Sequence, residues 1–227
     1  PTHFNYYFTK AYAKFTPYMT LDADVASGVR RNLLPYRNLL FNRYRNAAYY
    51  TDHLIATLLS SLKNLGRLKN TIIVITGDHG EEFWEHGWFG HTYGLDNEQT
   101  KVPLIFYFPS KVVNRYHYTS HEDIMPTIFD YMRVSVNTRL FMTGKSLLRY
   151  DPKRDHVLVG NGMRHHKAPR PHVAIGENLK VHFDYAPQVR VTQITDLNDR
   201  DVPHYDKQQV KQLVEDAIKA AHLAMPR

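Results

Sequence analysis

The sequence contains no cysteine, so a disulfide framework, a thiolate zinc site and a thiol nucleophile are all excluded. No run of about 18 apolar residues is present, and the first residues lack the basic start and apolar stretch of a signal peptide. The chain begins at Pro1 without a methionine. We therefore expect it to be part of a longer protein, with any membrane anchor or targeting signal upstream of Pro1.

Acidic residues are fewer than basic ones, 22 against 29, which gives a net charge of +7 with the 14 histidines neutral. This charge favours anionic partners. The basic residues do not line one helix face, so we do not expect nucleic acid to be a partner. They are scattered apart from one local cluster of basic residues and histidines at 163–172, which is either part of a site or a solvated loop between strands.

Residues 1–150 carry the pattern of an α/β domain. Apolar residues follow helical spacing over 38–65, and Gly66 stands where a helix cap is expected. Residues 71–76 and 103–108 are apolar runs without polar alternation, which is typical of strands covered on both faces in a parallel sheet. We therefore expect a mostly parallel sheet sandwiched by helices.

A further helix is predicted from Ser120 to about Arg133. Ser120 and Asp123 have the spacing of a capping box, in which two side chains satisfy the first free amides of a helix.

Residues 151–227 are predicted to form a small antiparallel subdomain that ends in a helix. The helix is expected to start near Asp206, because apolar residues recur at helical spacing from Val210 to Ala221. The predicted strands are short runs separated by turn residues: 156–159, 172–175, 179–183 and 189–194.

Asp78 and His79 directly follow the run 71–76, at the end of a strand where α/β proteins gather their ligands. A carboxylate oxygen and an imidazole nitrogen are suitable ligands for a divalent ion. The flanking Gly77 and Gly80 allow the sharp turn that aims both inward. The alternative is an aspartate that caps the next segment beside a hydrogen-bonded histidine.

The segment 77–91 has the sequence Gly-Asp-His-Gly-Glu-Glu-Phe-Trp-Glu-His-Gly-Trp-Phe-Gly-His. It strongly resembles the sulfatase-like family of the alkaline phosphatase superfamily. This family includes sulfatases, phosphoethanolamine transferases and lipoteichoic acid synthases. Four further segments match in the same order: the 41–65 helix, 101–104, 120–127 and 143–148. The chain therefore resembles the C-terminal half of such a catalytic domain, and the resemblance implies an alkaline-phosphatase-like fold.

By this resemblance, Asp78 and His79 bind a divalent metal ion, which is Ca, Mg, Mn or Zn. His91 matches a catalytic histidine that contacts the transferred group or its leaving oxygen, where an imidazole stabilises growing negative charge. His86 belongs to the same motif and is predicted to bind substrate. His3 resembles a substrate-facing, catalytic histidine of the family, with a packing role as the alternative.

Three further residues are candidates for supporting roles. His121 resembles a recurrent histidine at the start of a helix and is expected to support the site without acting directly. Glu81 and Glu82 are interpreted as acids of a solvated loop, with a supporting role as the less favoured alternative.

The resemblance implies a metal-dependent hydrolase or transferase that acts on sulfate or phosphate esters through a covalent intermediate. The enzyme is either a sulfuric ester hydrolase or a transferase of the phosphoethanolamine or phosphoglycerol type. In the family, the nucleophile and another acidic metal ligand precede this region, so the chain alone is expected to be inactive.

The expected partner is an anionic ester, either a phospholipid head group or a sulfated glycan. A histidine at position 91 favours the membrane-anchored relatives, so we expect a bacterial inner-membrane protein whose domain faces the periplasm or the cell exterior. The alternative is a catalytically silent sulfatase-like domain that binds an anionic lipid or glycan in the same pocket.

Overall fold

A computed structural model describes residues 5–20, 32–92, 94–110, 118–134, 142–149, 156–160, 171–185 and 188–221. The chain divides into two compact units, one formed by 1–91 with 103–111 and the other by 92–102 with 112–227. The predicted boundary near residue 150 stays a prediction. Two sequence features lie wholly or largely outside the described residues, namely His3 and the basic run 163–172.

The first unit is built around a long helix, α1 (Arg37–Asn64). The helix ends at Gly66, whose φ of 65° is in the left-handed region. The Gly66 N–H donates to the Lys63 carbonyl at 3.0 Å, and the Arg67 N–H donates to the Leu62 carbonyl at 2.9 Å. These two bonds form a Schellman cap, and they confirm both the helix and the cap predicted from the sequence.

The core of this unit packs the N-terminal segment against α1. The Asn46 side chain fastens the two together, because it accepts from the Phe15 N–H at 2.7 Å and donates to the Phe15 carbonyl at 3.0 Å. The apolar face of α1 is only partly covered, since Phe41 and Leu58 are 41% and 57% exposed. The buried core residues are Tyr6, Met19, Leu33, Leu40, Ala47 and Phe83.

Four strands complete the first unit. Strand β1 (Ile73–Thr76) is followed by a short hairpin of β2 (Glu82–Phe83) and β3 (Phe89–Gly90), and then by β4 (Leu104–Tyr107). β1 and β4 pair in antiparallel fashion, with Ile73 opposite Tyr107. The parallel pairing expected for these two runs is therefore corrected, although both strands lie inside the predicted ranges. The pattern also overstated their burial, because Ile105 is 54% exposed.

The second unit begins with a short helix, α2 (Asn97–Thr100). A 3-10 turn, His121–Asp123, leads into α3 (Ile124–Tyr131), as the start predicted at Ser120 requires. The buried Asp123 carboxylate accepts from the Ser120 N–H at 2.8 Å and from the Lys145 N–H at 2.9 Å. This side chain therefore ties the beginning of α3 to a distant loop.

The predicted small sheet is confirmed as a four-stranded antiparallel sheet in which strands consecutive in the sequence are neighbours. The terminal helix α4 (Lys207–Ala220) is also confirmed, and its first amides are capped by Asp206, which accepts from Gln208 and Gln209. Val210, Val214, Ala217 and Ile218 of α4 pack into the core of the sheet. The strands are β5 (Val157–Gly160), β6 (Pro171–Ile175), β7 (Lys180–Asp184) and β8 (Arg190–Thr195).

A buried ion pair joins this sheet to the loop that follows it. The side chains of Lys180 and Asp199 are 1% and 2% exposed, and the Lys180 ammonium binds the Asp199 carboxylate. The same ammonium donates to Asn97 Oδ1 at 3.1 Å, and the Asn97 N–H donates to Asp199 Oδ2 at 2.8 Å. Because both charges are paired and hydrogen-bonded, their burial is compensated.

The α/β class is confirmed, as are the small antiparallel subdomain and its terminal helix. Among the helices in the described ranges, none has the combination of length and hydrophobicity that a membrane span requires.

Candidate active site

Asp78 and His79 lie in the loop that leaves the end of β1. The His79 N–H donates to Asp78 Oδ1 at 3.1 Å. The second carboxylate oxygen, Oδ2, lies 3.6 Å from His79 Nε2. The two side chains therefore present an oxygen and a nitrogen side by side.

The tautomer of His79 follows from its contact with Gly80. The Nδ1 atom lies 2.9 Å from the Gly80 carbonyl oxygen. A carbonyl only accepts, so Nδ1 carries the proton and the neutral ring holds its lone pair on Nε2. A backbone carbonyl that orients an imidazole in this way is a common support for metal-binding histidines.

The geometry of this pair fits a divalent ion. Ligand atoms bind such ions at about 2.0–2.6 Å, so two atoms that share one ion lie at most about 5 Å apart. The 3.6 Å between Asp78 Oδ2 and His79 Nε2 satisfies this limit. The Asp78 side chain is 86% exposed and therefore accessible to an ion.

His91 stacks on His79, with ring centroids 4.0 Å apart and ring planes at 30°. On its other side, His91 Nδ1 donates to Glu81 Oε1 at 2.9 Å. The Glu81 side chain is 6% exposed and that of His91 is 20% exposed. The interpretation of Glu81 as a solvated loop acid is therefore wrong, because this carboxylate is buried against a histidine of the site.

The hairpin register explains why Glu81 meets His91. Strand β2 pairs with β3 so that Glu82 lies opposite Gly90 and Phe83 opposite Phe89. Glu81 and His91 occupy the next position of the same register and so face each other. Gly90 has a φ of 97°, a conformation that glycine adopts without strain.

Glu82 is also buried, at 0% exposure, and the solvated interpretation is wrong for it as well. Its Oε1 accepts the backbone N–H groups of His86 at 2.8 Å and of Trp88 at 3.1 Å. A buried carboxylate thus satisfies two amides of its own turn. Glu82 shapes the hairpin that carries Glu81 and His91 at its open end.

Tyr6 completes the surroundings of Glu81. Burial, together with the charge of Glu81 and a hydrogen bond to it, raises the pKa of Tyr6 far above its ordinary value. The hydroxyl group therefore remains protonated beside the carboxylate. The Tyr6 ring is held edge-on against Tyr44, with centroids 5.5 Å apart, and contacts Phe83 at 5.9 Å.

Two other predicted site residues lie in a hairpin turn of the first unit and in a turn of the second unit. His86 is exposed in the turn of the hairpin, at the end away from Glu81 and His91. His121 is exposed in a 3-10 turn of the second unit. The structure therefore brings together Asp78, His79 and His91, and it adds Glu81. Tyr6 had no signal in the sequence beyond its place among aromatic residues.

A family model described as Sulfatase matches residues 1–134, which is more than half of the chain. The chain therefore belongs to the sulfatase family.

Two curated relatives match over shorter segments. The chain is 32% identical over 102 residues to an arylsulfatase of Clostridium perfringens, over 40% of this chain and 21% of that protein. It is 26% identical over 123 residues to the inner membrane protein YejM of Salmonella typhimurium, over 53% of this chain and 20% of YejM.

Similarity in three dimensions extends further along the chain. A protein solved in complex with its substrate, D-glucosamine-2-N,6-O-disulfate, superposes on 91% of this chain with a TM-score of 0.71 and 21% identity. At this identity the likeness establishes the fold alone. The chain spans 49% of that protein, which is about half its length.

Proposed function

We propose that this chain carries part of the active site of a metal-dependent enzyme that hydrolyses or transfers sulfate or phosphate esters through a covalent intermediate. The observation that supports this most is the arrangement of two potential ligand atoms, Asp78 Oδ2 and His79 Nε2, 3.6 Å apart beside the stacked ring of His91. Membership of the sulfatase family supports the same reaction class.

Asp78 and His79 would hold the ion, with the remaining ligands and the nucleophile supplied by other parts of the protein. An oxygen and a nitrogen ligand accommodate Zn and Mn, and the carboxylate also suits Ca and Mg. When bound, a divalent ion would stabilise negative charge on the ester oxygens and lower the pKa of an attacking hydroxyl group.

His91 would act on the leaving group. As the nucleophile bonds to sulfur or phosphorus, the bond to the leaving oxygen breaks and that oxygen takes the electron pair. His91 donates a proton from Nε2 to this oxygen and returns to the neutral form. Because Nδ1 is held by Glu81, Nε2 is the nitrogen presented to the reacting ester.

The substrate class follows from the chemistry of the site and from the relatives. The arylsulfatase similarity and the solved protein with its sulfated glucosamine support a sulfated glycan. The similarity to YejM, an inner membrane protein, supports a location at the bacterial inner membrane. A phospholipid head group is the alternative substrate class, in a domain that faces the periplasm or cell exterior. Both substrates present a tetrahedral anionic ester.

The test is turnover by the full-length, metal-loaded protein. Assays with 4-nitrophenyl sulfate, a sulfated glucosamine and phosphatidylglycerol vesicles separate sulfate hydrolysis from phospholipid-dependent transfer. We expect turnover with one of these classes and a loss of about 100-fold or more in the Asp78→Asn variant. A folded, metal-loaded protein that binds these anions without turning any of them over would contradict the proposal and favour a silent binding domain.

A further inference from the structure

The Glu81 carboxylate is the least expected group near the site. Its side chain is 6% exposed, and burying a carboxylate is costly unless hydrogen bonds replace its lost water. The Nδ1–H of His91 donates one such bond at 2.9 Å, and the protonated hydroxyl group of the buried Tyr6 lies near the carboxylate. Neither the metal ligands nor the leaving-group step explains why this charge is buried here.

The two contacts of His91 fix its ring in different ways. Stacking on His79 at 4.0 Å limits the tilt of the ring. The hydrogen bond to Glu81 determines which ring nitrogen carries the proton in the neutral ring. The carboxylate accepts a hydrogen bond from Nδ1–H, so Nε2 is directed away from Glu81. Together they hold His91 in one orientation and one tautomer.

We propose that Glu81 is a positioning residue, which holds His91 so that Nε2 faces the leaving oxygen. This inference rests on the proposed function of His91. Glu81 acts only through His91 and need not touch the substrate. The arrangement depends on one hydrogen bond, from His91 Nδ1 to Glu81 Oε1 at 2.9 Å.

The neighbouring Glu82 offers a matched control. Glu82 is also a glutamate and is buried at 0% exposure. Its carboxylate, however, accepts hydrogen bonds from two backbone N–H groups of the hairpin turn, at 2.8 Å and 3.1 Å. Glu82→Gln therefore tests the cost of losing a buried charge in this hairpin without removing the partner of His91.

The experiment uses the full-length protein and aryl esters of the reactive class with good and poor leaving groups. For Glu81→Gln we expect kcat to fall about 100-fold with the poor leaving group, and about tenfold or less with the good one, because only the poor one needs the proton. KM should change less than about threefold. Glu82→Gln should show no such dependence on the leaving group.

A second readout does not depend on turnover. Ring ¹⁵N shifts of histidine-labelled protein, assigned with a His91→Gln variant, report which nitrogen of His91 is protonated. We expect Nδ1 to be protonated in the parent and this preference to be lost in Glu81→Ala. Equal losses for all leaving groups, or an unchanged tautomer, would overturn the inference. A protein without turnover but with the expected tautomer change would contradict the proposed function alone.

Discussion

The imidazole rings of His79 and His91 lie in face-to-face contact, with centroids 4.0 Å apart. In the proposed mechanism one ring binds the metal ion and the other protonates the leaving oxygen. Because the two rings contact each other, the two roles have to be separated by variants that change one ring at a time.

Replacing His79 is expected to weaken metal binding, whereas replacing His91 is not. His91→Gln should lower kcat by about 10²–10⁴-fold, the usual contribution of a general acid, while the metal content stays that of the parent. His79→Ala should lower both activity and metal content. Steady-state kinetics and elemental analysis of the two purified variants check this, and loss of the metal ion from His91→Gln would show that the roles are assigned wrongly.

Tyr6 is expected to make stability sensitive to alkaline pH. Its pKa is raised, first by burial and then by Glu81, so the folded protein keeps a proton that the unfolded chain loses near pH 10. The stability contributed by this proton is complete below about pH 10 and is lost as the pH rises further.

Tyr6→Phe should therefore flatten the fall of the unfolding free energy above about pH 10, by up to about 1.4 kcal/mol per pH unit. Denaturant titrations of the full-length protein at several pH values measure this slope. Tyr7, which is 58% exposed, provides the control variant Tyr7→Phe. Identical slopes for the parent and Tyr6→Phe would contradict the raised pKa of Tyr6.

Replacing only one partner of the buried Lys180–Asp199 ion pair is expected to lower the stability of the protein. Lys180→Met leaves the Asp199 charge buried, which costs about 3–5 kcal/mol of stability. The double variant Lys180→Met with Asp199→Asn removes both charges, and asparagine tolerates the φ of 63° at this position. Unfolding free energies should show that the double variant is more stable than Lys180→Met alone; the reverse order would rule out this account.

Gly144 is expected to be required for stability, because the backbone of Glu122 passes too close to leave room for a side chain. A Cβ atom there would lie 2.0 Å from the Glu122 carbonyl oxygen, whereas a Cβ at Gly176 would meet only the end of the Leu213 side chain, at 2.9 Å. Gly144→Ala should lower stability by about 1–3 kcal/mol or more, and Gly176→Ala by less, since a side chain moves more easily than backbone. Thermal unfolding of both variants compares them directly.

The sequence was sufficient for the elements whose signals are local. The helix over 38–65, its end at Gly66, the four strands of the small sheet and the terminal helix follow from periodicity and cap residues. The pairing direction of the runs 71–76 and 103–108 was wrong, because a buried apolar run has the same pattern in a parallel and an antiparallel sheet.

The candidate site was predictable only in part, because a local sequence pattern does not show contacts between residues that are far apart in the sequence. Asp78, His79 and His91 belong to one continuous motif, and the structure places them together. Glu81 lies near Tyr6, which is far away in the sequence. It meets His91 through a hairpin register that no local sequence pattern predicted. Long-range partners of this kind become visible only in the folded chain.

The central claim is that Asp78 and His79 bind a divalent metal ion. Elemental analysis and metal titration of the full-length protein test it most directly, with Asp78→Ala and His79→Ala as the informative variants and His53→Ala on α1 as a control. We predict a tightly bound divalent ion in the parent and in the control, and its loss from both site variants. A folded parent that binds no divalent ion, or site variants that bind it as tightly as the parent, would contradict the account.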